Sequence, residues 1–276
     1  MPLRVLVRGG GDLGSGVVMR LHQAGFWVLV TELEKPLVVR RKVAFAEAIY
    51  AGKTHVEEIR ARRVFTADEA YKCFMQGEVP VVVDPEARAR IWFKPHVLVD
   101  ARLTKKGSDL PHPAAPLVIG IGPGFVAGHD CHVVIESMRG HTLGRLYWEG
   151  STEPDTGIPE SVGGYDAQRV LRAPVEGILQ AYVDIGDVVK QGQLIAKVNG
   201  GEVCAPFDGV IRGLVANGLH VTQGMKIGDL DPRRNPKYCY LVSDKSLAIG
   251  GAALAAILSV PSLRSVLYGD DGWSWI

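Results

Sequence analysis

The chain has little of what marks several large protein classes. Its 276 residues hold four cysteines, Cys73, Cys131, Cys204 and Cys239, scattered and with no C-x-x-C pair. That spacing excludes a disulfide scaffold and a closed cysteine–zinc motif, and it suits reduced thiols. No charge of one sign dominates: 31 basic residues face 30 acidic ones, for a net charge of +1. Such a balance offers no global field for gripping nucleic acid or an anionic membrane, so neither is an expected partner. Long apolar runs are also missing. The longest, "LAIGGAALAAILSV" at 247–260, falls short of the ~20 residues that span a bilayer, so a packed helix is expected there. The N-terminus opens on a strand pattern rather than a signal peptide, and the expectation is a cytoplasmic protein.

What is present is an alternation of apolar strands and amphipathic helices. "LRVLVRG", "FWVLVTE", "VPVVVDP" and "HVLVDAR" read as buried strands, and "GVVMRLHQAG", "RRKVAFAEAIYAG" and "TADEAYKCFMQG" as helices. Thr66 fits the N-cap and Gly77 the C′ position of the last of these. "APLVIGIGPGF", "HVVIESMRG" and "RLYWEG" add further strands. This order predicts an α/β fold for residues 1–150, with a Rossmann-like, mostly parallel sheet covered by helices on both faces. Residues 151–165 read as a linker or surface loop. "YCYLVSD" reads as a strand and "KSLAIGGAALAAILS" as a helix, together a terminal 232–260 segment that can pack back on the first domain. Residues 261–276 form a tail.

The stretch "RGGGDLGSG" carries Gly9-x-Gly11-x-x-Gly14 between a strand and a helix. Glycines at these positions permit a tight turn, close approach of a pyrophosphate to backbone, and contact of helix with strand. The helix start points free N–H groups at an anion. Glu32 ends the second strand, where a carboxylate accepts from a ribose hydroxyl. Gly9, Gly10, Gly11, Asp12, Leu13, Gly14 and Glu32 are therefore candidate nucleotide-binding residues. The same glycines also suit a tight turn that binds nothing. A second turn, "GIGPGFVAG" at 120–128, adds Gly122 and Gly124 if both loops share one sheet edge. Arg40 and Arg41 are basic residues within reach of a phosphate. Asp84, Asp100 and Arg102 end strands at the same edge.

"HDCHVVIESMRGH" at 129–141 is dense in chemistry. Cys131, His132, Glu136, Arg139 and His141 are candidate catalytic residues. Strand alternation places His132, Val134 and Glu136 on one face and Cys131, Val133 and Ile135 on the other. Cys131 can act as a nucleophile or soft ligand if a neighbouring cation stabilises its thiolate. Ordinary packing is the competing reading. No metal site is expected.

Residues 166–231 contain an internal repeat. "APVEGILQAYVDIGDVVKQGQLI" (173–195) matches "APFDGVIRGLVANGLHVTQGMKI" (205–227) at a constant offset of 32. Equal turn residues in two short β units predict a pseudo-twofold sandwich or barrel. The first copy resembles biotinyl and lipoyl carrier domains, which implies a barrel-sandwich hybrid fold. The connecting hairpin "VNGGEV" has no lysine, which argues against carrier activity.

The ordered set "RGGGDLGSGV", "TELEKPLVVRRKVAFAEAIYAG", "GPGFVAGHDCHVVIES", "RGHTLGRLYWEG", "TGIPESVGGY" and "SDKSLAIGG" resembles the YqeB family over residues 3 to 260. The resemblance implies an accessory role in maturing selenium-dependent molybdenum hydroxylases, with such a hydroxylase or another maturation protein as partner. It carries no catalytic assignment. Combined with the glycine loop, it points to a nucleotide-containing ligand, either molybdopterin dinucleotide or NAD(P). Cys131 would then be the chalcogen acceptor, Arg139 an anion binder, and His132 or His141 a proton carrier. Two alternatives stand beside it: an NAD-dependent oxidoreductase with His132 as proton donor, and a non-catalytic adaptor docking through its β domain.

Overall fold

The computed structural model describes residues 2–155 and 164–268. The expected linker and the "TGIPESVGGY" motif lie largely outside the described residues, as does the end of the expected tail.

Residues up to 151 supply eleven strands: β1 (Arg4–Arg8), β2 (Trp27–Glu32), β3 (Lys53–Val56), β4 (Ile59–Val64), β5 (Val79–Val83), β6 (Val97–Asp100), β7 (Leu117–Ile121), β8 (Val126–Ala127), β9 (Val133–Ile135), β10 (Leu146–Tyr147) and β11 (Gly150–Ser151). The helices are α1 (Asp12–Gln23), α2 (Ala48–Ala51), α3 (Ala67–Met75), α4 (Arg90–Phe93), α5 (Asp244–Ser259) and α6 (Pro261–Tyr268). Among the described residues nine strands form one sheet, ordered β10-β9-β7-β6-β1-β2-β5-β4-β3. From β4 to β9 they run parallel, and the two edges are antiparallel. The fold is α/β. After β1 the chain moves to β2 on one side, then returns to β6 on the other, so the strand order reverses at β1. The crevice at the carboxyl ends of such strands is where open α/β sheets bind ligands.

Apolar side chains on both faces explain the parallel sheet. Val5 and Val7 join the core shared with α1 and α5. Leu6, Leu29 and Leu98 point the other way, into a core shared with α3 and α4. Each fully buried leucine contributes roughly 1.5–3 kcal/mol. Thr66 caps α3 by accepting from the Glu69 N–H at 3.2 Å, and Gly77 follows at φ 66°.

Three expected elements take other forms. The helix expected at "RRKVAFAEAIYAG" is two 3-10 turns, Arg41–Val43 and Phe45–Glu47, followed by the short α2. Its backbone donors are drawn elsewhere. Phe45 N–H donates to Ser15 Oγ at 2.9 Å, and Ala46 N–H to the Gly10 carbonyl at 2.9 Å. "YCYLVSD" is not a strand: Pro236–Cys239 form a 3-10 turn, and the carbonyls of Tyr238 and Leu241 accept from Arg40 at 3.1 and 3.0 Å. The first part of the expected tail is α6.

The apolar 236–259 stretch is long and apolar enough to pass for a membrane span. Within it, Ile249, Ala253, Ala256 and Ile257 of α5 are fully buried in the sheet's core. Gly250 explains the fit: a Cβ there would lie 2.3 Å from the Gly16 carbonyl oxygen, so α5 and α1 touch backbone to backbone.

The repeat forms β12 (Val170–Arg172), β13 (Gly177–Ala181), β14 (Val188–Val189), β15 (Leu194–Val198), β16 (Gly201–Cys204), β17 (Gly209–Leu214), β18 (His220–Val221) and β19 (Lys226–Asp231). These make two four-stranded sheets, β12-β19-β17-β14 and β16-β15-β13-β18, around a common core. The copies exchange strands: β13 of the first pairs with β18 of the second, and β14 with β17. Asn199 and Gly200, at φ 44° and 86°, make the lysine-free hairpin. The β unit meets the sheet unit through residues 39–41. Leu214 N–H donates to the Val39 carbonyl at 2.8 Å, and Arg41 Nε to the Leu214 carbonyl at 2.8 Å.

Candidate functional site

Parallel register sets one row of residues across the carboxyl edge of the sheet. Thr31, Arg8, Asp100 and Gly120 are consecutive partners on β2, β1, β6 and β7. Above this row opens a cleft of about 1130 Å³, large enough for a dinucleotide-sized ligand. Gly9, Gly11, Asp12, Leu13 and Glu32 line it on one side, and Pro123, Glu136 and Arg139 on the other. Arg169, Arg212 and Lys226 of the β unit complete the wall.

The glycines of the first turn divide their work. A Cβ on Gly14 would lie 2.0 Å from the Gly9 carbonyl oxygen, so α1 packs directly on the turn. Gly10 is likewise closed in, with Val30 and Ala46 within 3.0 Å of a Cβ. Neither lines the cleft. Gly11 differs: its nearest neighbour would be Val38 Cγ2 at 3.8 Å, so the backbone there is left open to the cleft. The second turn is packed against protein. Gly122 abuts Ser137 and Leu103, and Gly124 abuts Lys105. Both have positive φ, 76° and 102°, so they serve the turn. Pro123, between them, is the residue that reaches the cleft, which corrects the expected ligand role of Gly122 and Gly124.

Helix α1 begins with its charge already matched. Asp12 accepts from Arg40 at 3.1 and 3.0 Å and from Ser246 Oγ at 2.8 Å. Arg41 turns away to Glu47 and Asp184. Beside Gly9, buried Arg8 and half-buried Arg102 share Asp100 and Asp109. Arg102 holds Asp100 at 2.9 and 2.7 Å. Asp109 is bound by both arginines, and the Arg8 hydrogen bond first of all holds its carboxyl well below the usual range.

Glu32 lies where the sequence places it, at the end of β2 and facing the cleft. Burial pushes its pKa up to about 7. Its Oε2 is buried and has no hydrogen-bond partner among the described residues, and the same holds for Thr31 Oγ1, Arg8 Nε, Arg40 Nε and Arg212 Nε. Buried polar atoms are normally satisfied. Five such atoms on residues lining one cleft fit a polar ligand there. On the opposite wall Lys226 keeps solvent access, while the enclosing walls desolvate it and lower its pKa.

The dense 129–141 segment separates in space. Glu136 and Arg139 line the cleft. Glu136 is fully buried and spoken for: its carboxylate accepts from the N–H groups of Met138 and Glu153 at 2.7 and 2.8 Å. Arg139 pairs with Asp244. Cys131 is a core residue, 0% exposed, packed with Val134 in the core shared with α3. It shares that face because β9 starts only at Val133, after the Ala127–Cys131 bridge. Burial pushes its thiol up to about 11, which removes it as a thiolate near neutral pH. His132 also lies off the cleft. Its Nδ1 accepts from the Val118 N–H at 2.9 Å and its ring sits 4.7 Å from that of His112; burial lowers its pKa. His141 is exposed and outside the cleft lining. The expected catalytic set of Cys131, His132 and His141 is therefore not assembled.

Sequence reasoning missed Arg8, Asp109, Arg169, Arg212 and Lys226. Arg8 had a signal: a lone charge ending an apolar strand, next to glycine. So did the repeat, where Arg212 and Lys226 stand at the positions of Gln180 and Leu194 in the first copy.

No family model matches the chain. Solved structures give weak likenesses: an aspartoacylase family protein from Mesorhizobium loti (10% identity, 83% of this chain, 85% of that chain, TM-score 0.29) and the ectoine utilization protein EutE (DoeB) from Ruegeria pomeroyi (12%, 82%, 56%, 0.23). Neither score carries an argument about fold or activity. In sequence, the chain is 45% identical over 254 residues to "Uncharacterized protein YqeB" of Escherichia coli (strain K12). The match takes in 92% of this chain and 47% of that protein, so the chain spans about half its length. Over that span the chain is similar to YqeB.

Proposed function

We propose that the chain binds a pyrophosphate-bearing nucleotide in this cleft and acts as an accessory protein in maturing selenium-dependent molybdenum hydroxylases. The ligand is a molybdopterin dinucleotide or a related nucleotide. In this reading the sheet is Rossmann-like and the β unit is a barrel-sandwich hybrid without its carrier lysine. One observation carries the ligand assignment. The open backbone of Gly11 and the Glu32 carboxylate, whose buried Oε2 has no hydrogen-bond partner among the described residues, line one cleft at the switch point of a parallel sheet. Glu32 accepts from ribose hydroxyls, and the arginines of the cleft hold phosphate oxygens. The maturation role rests on likeness to YqeB and is a separate claim. Molybdenum and selenium are cargo in this reading, and no step on them is assigned to a residue.

Native mass spectrometry of the purified full chain tests the ligand. A retained mass equal to a nucleotide or dinucleotide is the expected result; a chain that carries only non-nucleotide ligands contradicts it. Titration with NADH separates the oxidoreductase alternative, because nicotinamide fluorescence should respond only if that cofactor is the ligand. That alternative also loses its proton donor at the cleft, since His132 faces away. The adaptor alternative treats the β unit as a docking module alone, whereas Arg169, Arg212 and Lys226 make it a wall of the cleft.

A further inference from the structure

We propose that Arg8 and Arg102 form a phosphoryl-binding subsite which Asp109 fills with its own carboxylate, and that an incoming pyrophosphate takes the place of Asp109. The proposal deepens the nucleotide reading by naming where its pyrophosphate sits.

Arg8 is 2% exposed, and a buried guanidinium needs an anionic partner. Its register neighbour, Asp100, is equally buried but is committed elsewhere. Asp100 makes its short contacts to Arg102 at 2.9 and 2.7 Å, and lies 3.6 Å from Arg8. Two guanidiniums thus share one strand-borne carboxylate, and one positive charge is left over. Asp109 supplies the balance from the loop after β6. Its Oδ2 accepts from Arg8 Nη2 at 3.1 Å and Arg102 Nη1 at 3.3 Å, and its Oδ1 from Arg8 Nη1 and from Arg102 Nη2 at 2.9 Å.

Two oxygens held between two planar forks is the pattern by which arginines bind phosphate. Unlike its partners, Asp109 is 60% exposed at its side chain, so it can leave without opening a core. The loop that carries it places Leu103 and Lys105 at φ 56° and 57°, left-handed values that non-glycine residues adopt only at a cost. Lys105 pairing with Asp155 and the Asp109 clamp hold that conformation. Position completes the case. Both arginines line the cleft beside Gly9, whose missing Cβ would sit 3.2 Å from Arg102 Cγ. At the start of α1 the Asp12 carboxylate is already paired with Arg40 and Ser246.

The test is calorimetric titration of inorganic pyrophosphate into the full chain, comparing wild type, Asp109→Ala and Asp109→Ala/Arg102→Gln. Removing the internal competitor should tighten pyrophosphate binding roughly tenfold, and removing Arg102 as well should abolish that gain. Asp109→Ala should also melt at lower temperature in chloride buffer and recover when millimolar phosphate is added, a rescue a merely structural aspartate would not show. Equal behaviour of wild type and Asp109→Ala toward pyrophosphate, including no binding by either, overturns the proposal. So does a gain that persists without Arg102. A parallel titration with NAD and nucleoside diphosphates keeps the two readings apart. Nucleotide binding indifferent to Asp109 leaves the nucleotide reading and removes this subsite. A pyrophosphate gain with no nucleotide binding does the reverse.

Discussion

At the scale of single residues, Glu32 sets the pH dependence of the cleft. Its folded-state pKa is raised from 4.5 to about 7 by burial, so the folded chain holds this proton more firmly than the unfolded chain does. Ionising Glu32 therefore costs stability progressively as pH climbs from 4.5 toward 7, and the full cost persists above. Glu32→Gln removes that cost. Denaturant unfolding should show no gain for the variant at pH 4.5 and a gain of up to about 3 kcal/mol at pH 8. A gain equal at both pH values would contradict the burial argument. Ligand binding should move the other way: nucleotide affinity should rise between pH 6 and 8 in wild type as the carboxylate forms, and be flat and weaker in the variant. Cys131 belongs to packing. Cys204 is exposed while Cys73, Cys131 and Cys239 are buried, so a thiol reagent should label one cysteine quickly in the native chain and three only on unfolding. Cys131→Ser should lower stability by about 1–3 kcal/mol, because it buries a hydroxyl, and leave nucleotide affinity unchanged. Lost affinity at full stability would restore the cysteine to the site.

At the scale of elements, the crossing of α1 and α5 is the most sharply defined contact. Gly250 and Gly251 are neighbours in one helix with opposite surroundings. A Cβ on Gly250 meets the Gly16 backbone, whereas one on Gly251 meets nothing within 4 Å. Gly250→Ala should destabilise by about 1–3 kcal/mol through overpacking. Gly251→Ala should stabilise by up to about 1 kcal/mol through helix propensity. Thermal unfolding of the two variants checks both signs, and destabilisation by Gly251→Ala would contradict the packing described. These elements also show what was legible beforehand. The parallel strands, the Gly9–Gly14 turn, the end position of Glu32 and the repeat are local patterns, and each was readable. The 40–52 segment departs from its helical pattern because its backbone donors go to Ser15 and Gly10, thirty or more positions away. Cys131 and His132 stand off the cleft because closeness along the chain is not closeness in space: β9 starts two residues later than strand alternation from Cys131 assumes. The Arg8–Asp109 pair spans 101 positions, and no short pattern announces it.

At the scale of the whole molecule, the cleft belongs to both units. The sheet supplies the glycine turn, Glu32 and the arginine pair; the β unit supplies Lys226 and Arg212, the latter held near Asp229 and Asp231. Neutralising both as Arg212→Gln/Lys226→Gln should weaken nucleotide binding about tenfold or more and flatten its dependence on salt. An unchanged affinity would mean that the β unit is a bystander to the cleft. The central claim is that a nucleotide lies against the turn at Gly11, and one comparison tests it most directly. Gly11→Val adds a side chain where no protein atom lies within 3.5 Å of the Cβ position, so the fold tolerates it while the cradle is filled. Calorimetry with nucleoside diphosphates should give saturable binding to wild type with a Kd below about 1 mM, lost in the folded variant. Binding that survives Gly11→Val, or a folded wild-type chain that takes up none of these ligands, would contradict the account.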